Sequence, residues 1–149
     1  MVKIGITEKK DENFSEWYTQ TVLKAELIDY SQVKGFIILR EYGFSIWENI
    51  QSILDKKFKK DGTKNAYFPL LIPESLLNRE SEHFKGFTPE VFWVTKTGDK
   101  DIENKLAIRP TSETIAYESY AKWIKSWRDL PLKLNFWNSV LRAEIKDTK

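Results

Sequence analysis

Lys105-Leu106-Ala107-Ile108-Arg109-Pro110-Thr111-Ser112-Glu113-Thr114 is the stretch that decides how this chain reads, and it continues through Ile115 to Trp127. Leu106 to Ile108 is a short apolar run that Pro110 stops, because proline cannot donate to a sheet ladder. Beyond it, Ile115, Ala116, Tyr120, Trp123, Ile124 and Trp127 fall on one face of a 3.6-residue period. The expected order is strand, tight turn, amphipathic helix, with Pro110 and the hydroxyl residues supplying helix-start chemistry. These residues alone support two roles for the turn. In one, Ser112 and Thr114 cap the helix and Glu113 complements its dipole. In the other, the turn faces a pocket, where the Glu113 carboxylate and the Thr111 hydroxyl form an acceptor site for an amine or imine cation. The positive end of the helix favours a charge on Glu113 in either case.

Composition sets the bounds. At 149 residues the chain is long enough to bury a core, and a hydrophobic content of 41% with six tryptophans argues for a folded protein. The net charge of +2 makes no case for nucleic acid by itself. There is no cysteine, which excludes disulfides and thiolate chemistry and is compatible with a reducing compartment. His83 is the only histidine, so no metal site is expected and a histidine-based triad is a poor fit. No apolar run reaches membrane-spanning length, and the N-terminus lacks a signal peptide's apolar core. A soluble, cytoplasmic protein without a membrane partner is the expectation.

Working outward, residues 1–12 read as a flexible charged lead-in. Asn13 stands three residues before Glu16, as a helix cap does, and Phe14, Trp17, Tyr18, Val22, Ala25 and Ile28 form one stripe, which predicts a helix over Asn13–Leu27. Asp29-Tyr30-Ser31 is expected to turn the chain into a buried strand, Gly35–Leu39. The longest helix follows Tyr42-Gly43. Ser45 and Glu48 have capping-box spacing, Ile46, Ile50, Ile53, Leu54 and Phe58 make the apolar stripe, and Asp61-Gly62 closes the helix. Lys56, Lys57, Lys59 and Lys60 suit the dipole of its last turn; with no aromatics between them, they read as a solvated helix end. Asn65–Ile72 reads as a strand interrupted by Pro69, which requires an edge, a bulge or a chain partner on that side.

A short helix is expected over Pro73–Lys85, with His83 as a packing or surface residue. Val91–Thr95 and Lys105–Arg109 then bracket a hairpin with a long polar tip around Thr97-Gly98-Asp99-Lys100. Leu132–Lys146 alternates as a strand does, which places Arg142 and Glu144 on one face about 7 Å apart. As a charge pair they are ordinary. As a fixed guanidinium on a sheet, Arg142 can fork onto phosphate or carboxylate oxygens. The sequence contains no Gly-rich phosphate loop, so a nucleotide site here relies on arginine.

Three groups of residues, in order along the chain, resemble the class II prolyl-tRNA synthetases of the archaeal and eukaryotic-like type. Tyr42-Gly43-Phe44, Trp47-Glu48-Asn49 and Asn65-Ala66-Tyr67-Phe68-Pro69-Leu70 resemble motif 1, the dimerisation element. Arg109-Pro110-Thr111-Ser112-Glu113-Thr114 with Ser126-Trp127-Arg128-Asp129-Leu130-Pro131 resembles the proline-recognition segment. Asn138-Ser139-Val140-Leu141-Arg142-Ala143-Glu144 resembles the opening of motif 2. Glu41 stands where proline is usual, and Ala143 where an aromatic residue is usual.

The resemblance implies an α+β fold, an antiparallel sheet flanked by helices, with residues 13–149 forming the N-terminal part of a class II catalytic domain. It implies a proline–tRNA ligase that uses ATP with Mg2+ to make prolyl-adenylate and passes proline to tRNA(Pro). Thr111 and Glu113 would bind the proline ring nitrogen, and Arg142 the proline carboxylate and the ATP α-phosphate. Glu144 would lie toward the adenine end, and Tyr67, Phe68 and Pro69 at a homodimer interface. The groups the family uses beyond motif 2 lie past Lys149, so these 149 residues alone are expected not to make the adenylate. The alternatives are another class II synthetase and a non-catalytic synthetase-like module for dimerisation or regulation.

Overall fold

Asn13 caps the first helix, its side chain accepting from the Glu16 N–H at 3.3 Å, and α1 runs Phe14–Lys24. The computed structural model describes residues 5–83 and 90–143, with backbone only for 80–83. These residues form two compact units that divide between Lys57 and Phe58. In the first unit the lead-in is tied to α1, because the Thr7 N–H donates to Gln20 Oε1 at 2.8 Å. The helix stops short of Leu27 because Glu26 takes a left-handed backbone, φ 57°. Glu26 N–H then bonds back to Leu23 and Leu27 N–H to Val22, satisfying the last carbonyls of α1.

β1 (Ile28–Tyr30) and β2 (Ile37–Leu39) form an antiparallel ribbon in which Asp29 pairs with Ile38. The expected turn at Asp29-Tyr30 is therefore strand, and the reversal falls within residues 31–36. The expectation of a buried strand fails as well: Ile37, Ile38 and Leu39 are each about half exposed. A two-stranded ribbon has no layer of its own to cover both faces.

α2 spans Glu41–Lys60 and starts four residues before Ser45. Phe44 N–H already bonds Arg40 carbonyl at 2.7 Å, and Ser45 Oγ donates to Tyr42 carbonyl. Ser45 thus sits inside the first turn and does not cap the helix. None of the helix's residues is buried, and its predicted apolar stripe is open at Ile46, Ile50 and Ile53. Gly43 is where α2 meets the Leu27 carbonyl: a Cβ there would lie 2.2 Å from that oxygen, which also accepts the Arg40 N–H at 2.9 Å.

The second unit opens at Phe58 in the last turn of α2, which Asp61 and Gly62 close. Gly62, at φ 82°, donates to Lys59 carbonyl, and Lys133 Nζ bridges to the Asp61 carboxylate at 2.9 Å. The strand expected over Asn65–Ile72 splits in two. β3 (Lys64–Asn65) pairs in parallel with β7 (Leu134–Asn135), and β4 (Leu71–Pro73) joins a separate antiparallel sheet of order β4-β6-β5. Residues 66–70 between them leave the ladder around Pro69, and their carbonyls are free to accept from elsewhere.

α3 runs Glu74–His83, and the side chain of His83 lies outside the described residues. β5 (Trp93–Thr97) and β6 (Lys100–Ile108) are joined by a two-residue turn, Gly98-Asp99. The hairpin is therefore much tighter than its polar sequence suggests, because Gly98 at φ 61° supplies the turn conformation that a twisted two-residue loop needs. Ile72 and Ala107, partners in the ladder, are both fully buried and form the core with Leu77, Val91 and Ile115.

α4 spans Glu113–Trp123. Ser126 and Asp129 then close a short 3-10 turn at Trp127–Asp129, which puts Trp127 off the helix and 78% exposed, not on its apolar face. Among the described residues of the final alternating segment, only Leu134–Asn135 form a strand. Up to Ala143 its backbone bonds singly, Leu141 N–H to Arg109 carbonyl at 3.0 Å and Ala143 N–H to Glu90 carbonyl at 2.8 Å. Nor does burial alternate at its start: Phe136 meets Phe68 edge-on at 4.9 Å, and Trp137 stacks on Phe58 at 6.2 Å. Among the described residues no helix is long and apolar enough to cross a membrane.

Two stability predictions follow from this packing. Gly43→Ala, a helix-favouring change elsewhere by about 1 kcal/mol, is expected to cost about 1–3 kcal/mol here by overpacking, and a denaturant melt with a raised midpoint would contradict it. Asp129 accepts the Ser126 and Lys125 N–H groups, which hold its carboxyl below the ordinary 3.8. A depressed pKa stabilises the fold above the ordinary value, and that contribution is lost as pH falls through the folded value. The stability gap between the wild type and Asp129→Ala is therefore expected to be present at neutral pH and to shrink in acid melts below 3.8.

Candidate functional site

The end of β6 carries the group that organises the site. Side chains alternate along a strand, so Arg109 shares a face with Ala107 and, like it, is buried, at 1% exposure. A buried guanidinium must find acceptors, and the described acceptors of Arg109 are main-chain carbonyls. Nε donates to Ser139 at 2.8 Å, and Nη1 donates to Phe68 and, at 3.1 Å, to Pro69. The ring of Tyr67 lies 5.7 Å from the guanidinium carbon, within the range of a cation–π contact. The backbone of the same residue repeats the links: Arg109 N–H bonds Leu70 carbonyl at 2.9 Å, and Arg109 carbonyl accepts Leu141 N–H at 3.0 Å. One residue thus fastens the irregular 66–70 segment and the 139–141 segment to the end of β6.

Pro110 then ends the strand, buried, and the chain turns into α4. The Thr111 hydroxyl donates to Glu113 Oε2, so the two candidate residues are brought together, Glu113 as the exposed first residue of the helix. The capping role is not seen: Ser112 occupies the N-cap position without a side-chain cap bond. Its Oγ instead accepts from Asn138 Nδ2 at 3.4 Å. Thr114, the other proposed cap, is 8% exposed, and among the described residues its Oγ1 has no hydrogen-bond partner.

Arg142 lies on the segment that Arg109 holds. It is exposed, and its Nε donates to Pro110 carbonyl at 3.5 Å, which brings the guanidinium to the same turn as Thr111 and Glu113. Glu144, assigned to the adenine end, lies outside the described residues. Of the assembly candidates, Tyr67 is 75% exposed and Pro69 exposed. Phe68 turns inward, stacking on Trp123 at 5.8 Å.

Sequence reasoning missed Arg109 and Asn138. For Arg109 a signal existed: the two-residue alternation through Ala107 puts it on the buried face. For Asn138 none did, because its partner Ser112 is 26 residues away.

The chain can now be set beside known proteins. A proline–tRNA ligase of Cenarchaeum symbiosum is 63% identical over 148 residues, 99% of this chain and 31% of that relative. Proline–tRNA ligase 2 of Clostridioides difficile is 55% identical over 136 residues, 91% of this chain and 28% of the relative. No model of a known protein family matches the chain. Among solved structures, a prolyl-tRNA synthetase from Cryptosporidium parvum complexed with halofuginone and AMPPNP superposes with a TM-score of 0.85 at 49% identity, over 94% of this chain and 27% of that one. The enzyme of the same organism complexed with L-proline and AMP gives 0.82 at 46% identity, over 93% and 26%. The chain thus spans 31% and 28% of the length of these two curated relatives. In sequence and in fold it belongs to the prolyl-tRNA synthetase family, as a stretch that corresponds to less than a third of those relatives.

Proposed function

We propose that the protein carrying this sequence is a proline–tRNA ligase, in which residues 13–149 form the N-terminal part of a class II catalytic domain, with residues 1–12 as its lead-in. The observation that carries the reading is the Thr111–Glu113 contact at the start of α4, with Arg142 bonded to the same turn through Pro110. Proline carries a ring nitrogen and a carboxylate on one carbon. A carboxylate–hydroxyl pair suits the protonated nitrogen, and a guanidinium suits the carboxylate. The similarity to enzymes solved with AMPPNP and with L-proline and AMP supports proline and ATP as substrates, ATP entering as its Mg2+ complex.

In this reading one proline carboxylate oxygen attacks the α-phosphorus of ATP, the α–β bridging oxygen leaves with pyrophosphate, and prolyl-adenylate remains. A terminal ribose hydroxyl of tRNA(Pro) then attacks the prolyl carbonyl, and AMP departs. Arg142 spreads its charge over the carboxylate and the α-phosphate as they approach, while Thr111 and Glu113 hold the ring nitrogen. The work is positioning and charge stabilisation. The resemblance assigns Glu144 to the adenine end. Tyr67 and Pro69 are proposed for a homodimer contact, with Phe68 anchoring them from within. A cytoplasmic place of action is part of the same proposal.

Two measurements test it on the full-length protein. Glu113→Gln keeps the shape and removes the charge. A charge-assisted hydrogen bond is worth roughly 1.5–3 kcal/mol, so proline-dependent kcat/KM is expected to fall about ten- to a hundredfold. Wild-type proline kinetics in that variant would sink the role of Glu113, and no proline-dependent ATP–pyrophosphate exchange by the wild type would sink the function. Light scattering is expected to show a dimer at micromolar concentration; a strict monomer would contradict the interface.

A further inference from the structure

Arg109 has no assigned part in the proposed chemistry, yet its contacts reach both halves of the proposed proline site. Its side chain binds the Ser139 carbonyl, and its own carbonyl takes the Leu141 N–H, so residues three and one before Arg142 are both fastened to it. Pro110, the next residue, carries the carbonyl that meets Arg142 Nε, and Thr111 follows directly. On the other side the same guanidinium grips the Phe68 and Pro69 carbonyls, in a segment that has left its sheet. The Leu70 carbonyl takes its N–H. A flexible surface arginine does none of this. The burial of Arg109 and its several carbonyl acceptors fix it in one arrangement.

We propose that Arg109 is a positioning residue for the amino-acid site, setting the spacing between the Thr111–Glu113 turn and Arg142 so that one proline molecule can touch both. The inference rests on the proline-site reading above. It follows from the demands of a bridging ligand: proline is small and rigid, and its two charged ends are a fixed distance apart. If Arg142 shifts relative to Thr111 and Glu113, one end of proline loses its partner. ATP meets only Arg142 among these groups, so a changed spacing between Arg142 and the Thr111–Glu113 turn costs it no second partner. The effect of loosening Arg109 is therefore selective for the amino acid.

Arg109→Lys tests this in the full-length protein, because an ammonium keeps the charge but cannot fork onto carbonyls of two segments at once. The expected result is a proline KM raised about tenfold or more with ATP KM within about twofold of wild type. A lowered melting temperature with unchanged proline kinetics would overturn the proposal, as would an equal rise in both KM values. Glu113→Gln, measured alongside, separates the two claims. If it impairs proline use and Arg109→Lys does not, only the positioning role falls. If neither has an effect, the site itself is misassigned. Should the lysine variant not fold, the wild type carries the test by hydrogen exchange. Saturating proline, with binding verified in the same sample by calorimetry, is expected to slow exchange of the Leu141 amide, whose acceptor is the Arg109 carbonyl. An unchanged Leu141 rate would overturn the proposal.

Discussion

Removing a guanidinium from water costs several kcal/mol, and this fold carries that cost at Arg109 in the second unit. The cost is offset only if the donors find acceptors, and here the acceptors are carbonyls that no ladder uses. The two facts depend on each other. The 66–70 segment can stay out of a sheet because Arg109 satisfies its carbonyls, and Arg109 can stay buried because that segment is out of the sheet. The same reciprocity holds at Ser139. Backbone that sequence periodicity would assign to regular strands is held instead by one side chain and by single main-chain bonds.

The position of this link matters for chemistry. Arg109 ends the central strand of the β4-β6-β5 sheet, whose core residues Ile72 and Ala107 are fully buried. A rigid strand end is a good place from which to launch a binding turn, since functional groups need an immobile base. Thr111 and Glu113 leave that base in one direction. Arg142 arrives beside it on a segment tied to the same residue.

How much of this was legible depends on the range of the interactions. Asn13 as a cap, Gly62 as a helix stop, and the strand–turn–helix order around Pro110 all rest on contacts within a few residues, and each appears where the local pattern puts it. The pairing of Thr111 with Glu113 belongs to the same class. The strand over Asn65–Ile72 failed because Pro69 and a distant arginine outweighed local propensity. The strand over Leu132–Lys146 failed in part for a related reason, since a two-residue period describes an extended chain but not whether a ladder partner exists. Gly98 turned an expected long loop into a two-residue reversal, because a single left-handed glycine is enough to close strands whose polar residues look loop-like. The apolar stripe of α2 lies on a helix as its period requires, but periodicity does not say that a stripe is covered, and Ile46, Ile50 and Ile53 are exposed.

The central claim is that one buried arginine holds two recognition elements at the spacing of a single amino acid. The measurement that tests it most directly is a crystal structure of the full-length protein with proline bound. The account predicts the ring nitrogen within hydrogen-bond distance of Thr111 and Glu113 oxygens, the carboxylate on Arg142, and Arg109 still seated on the Phe68, Pro69 and Ser139 carbonyls. Proline bound away from Thr111 and Glu113, or an Arg109 side chain turned out to solvent in the occupied site, would contradict it.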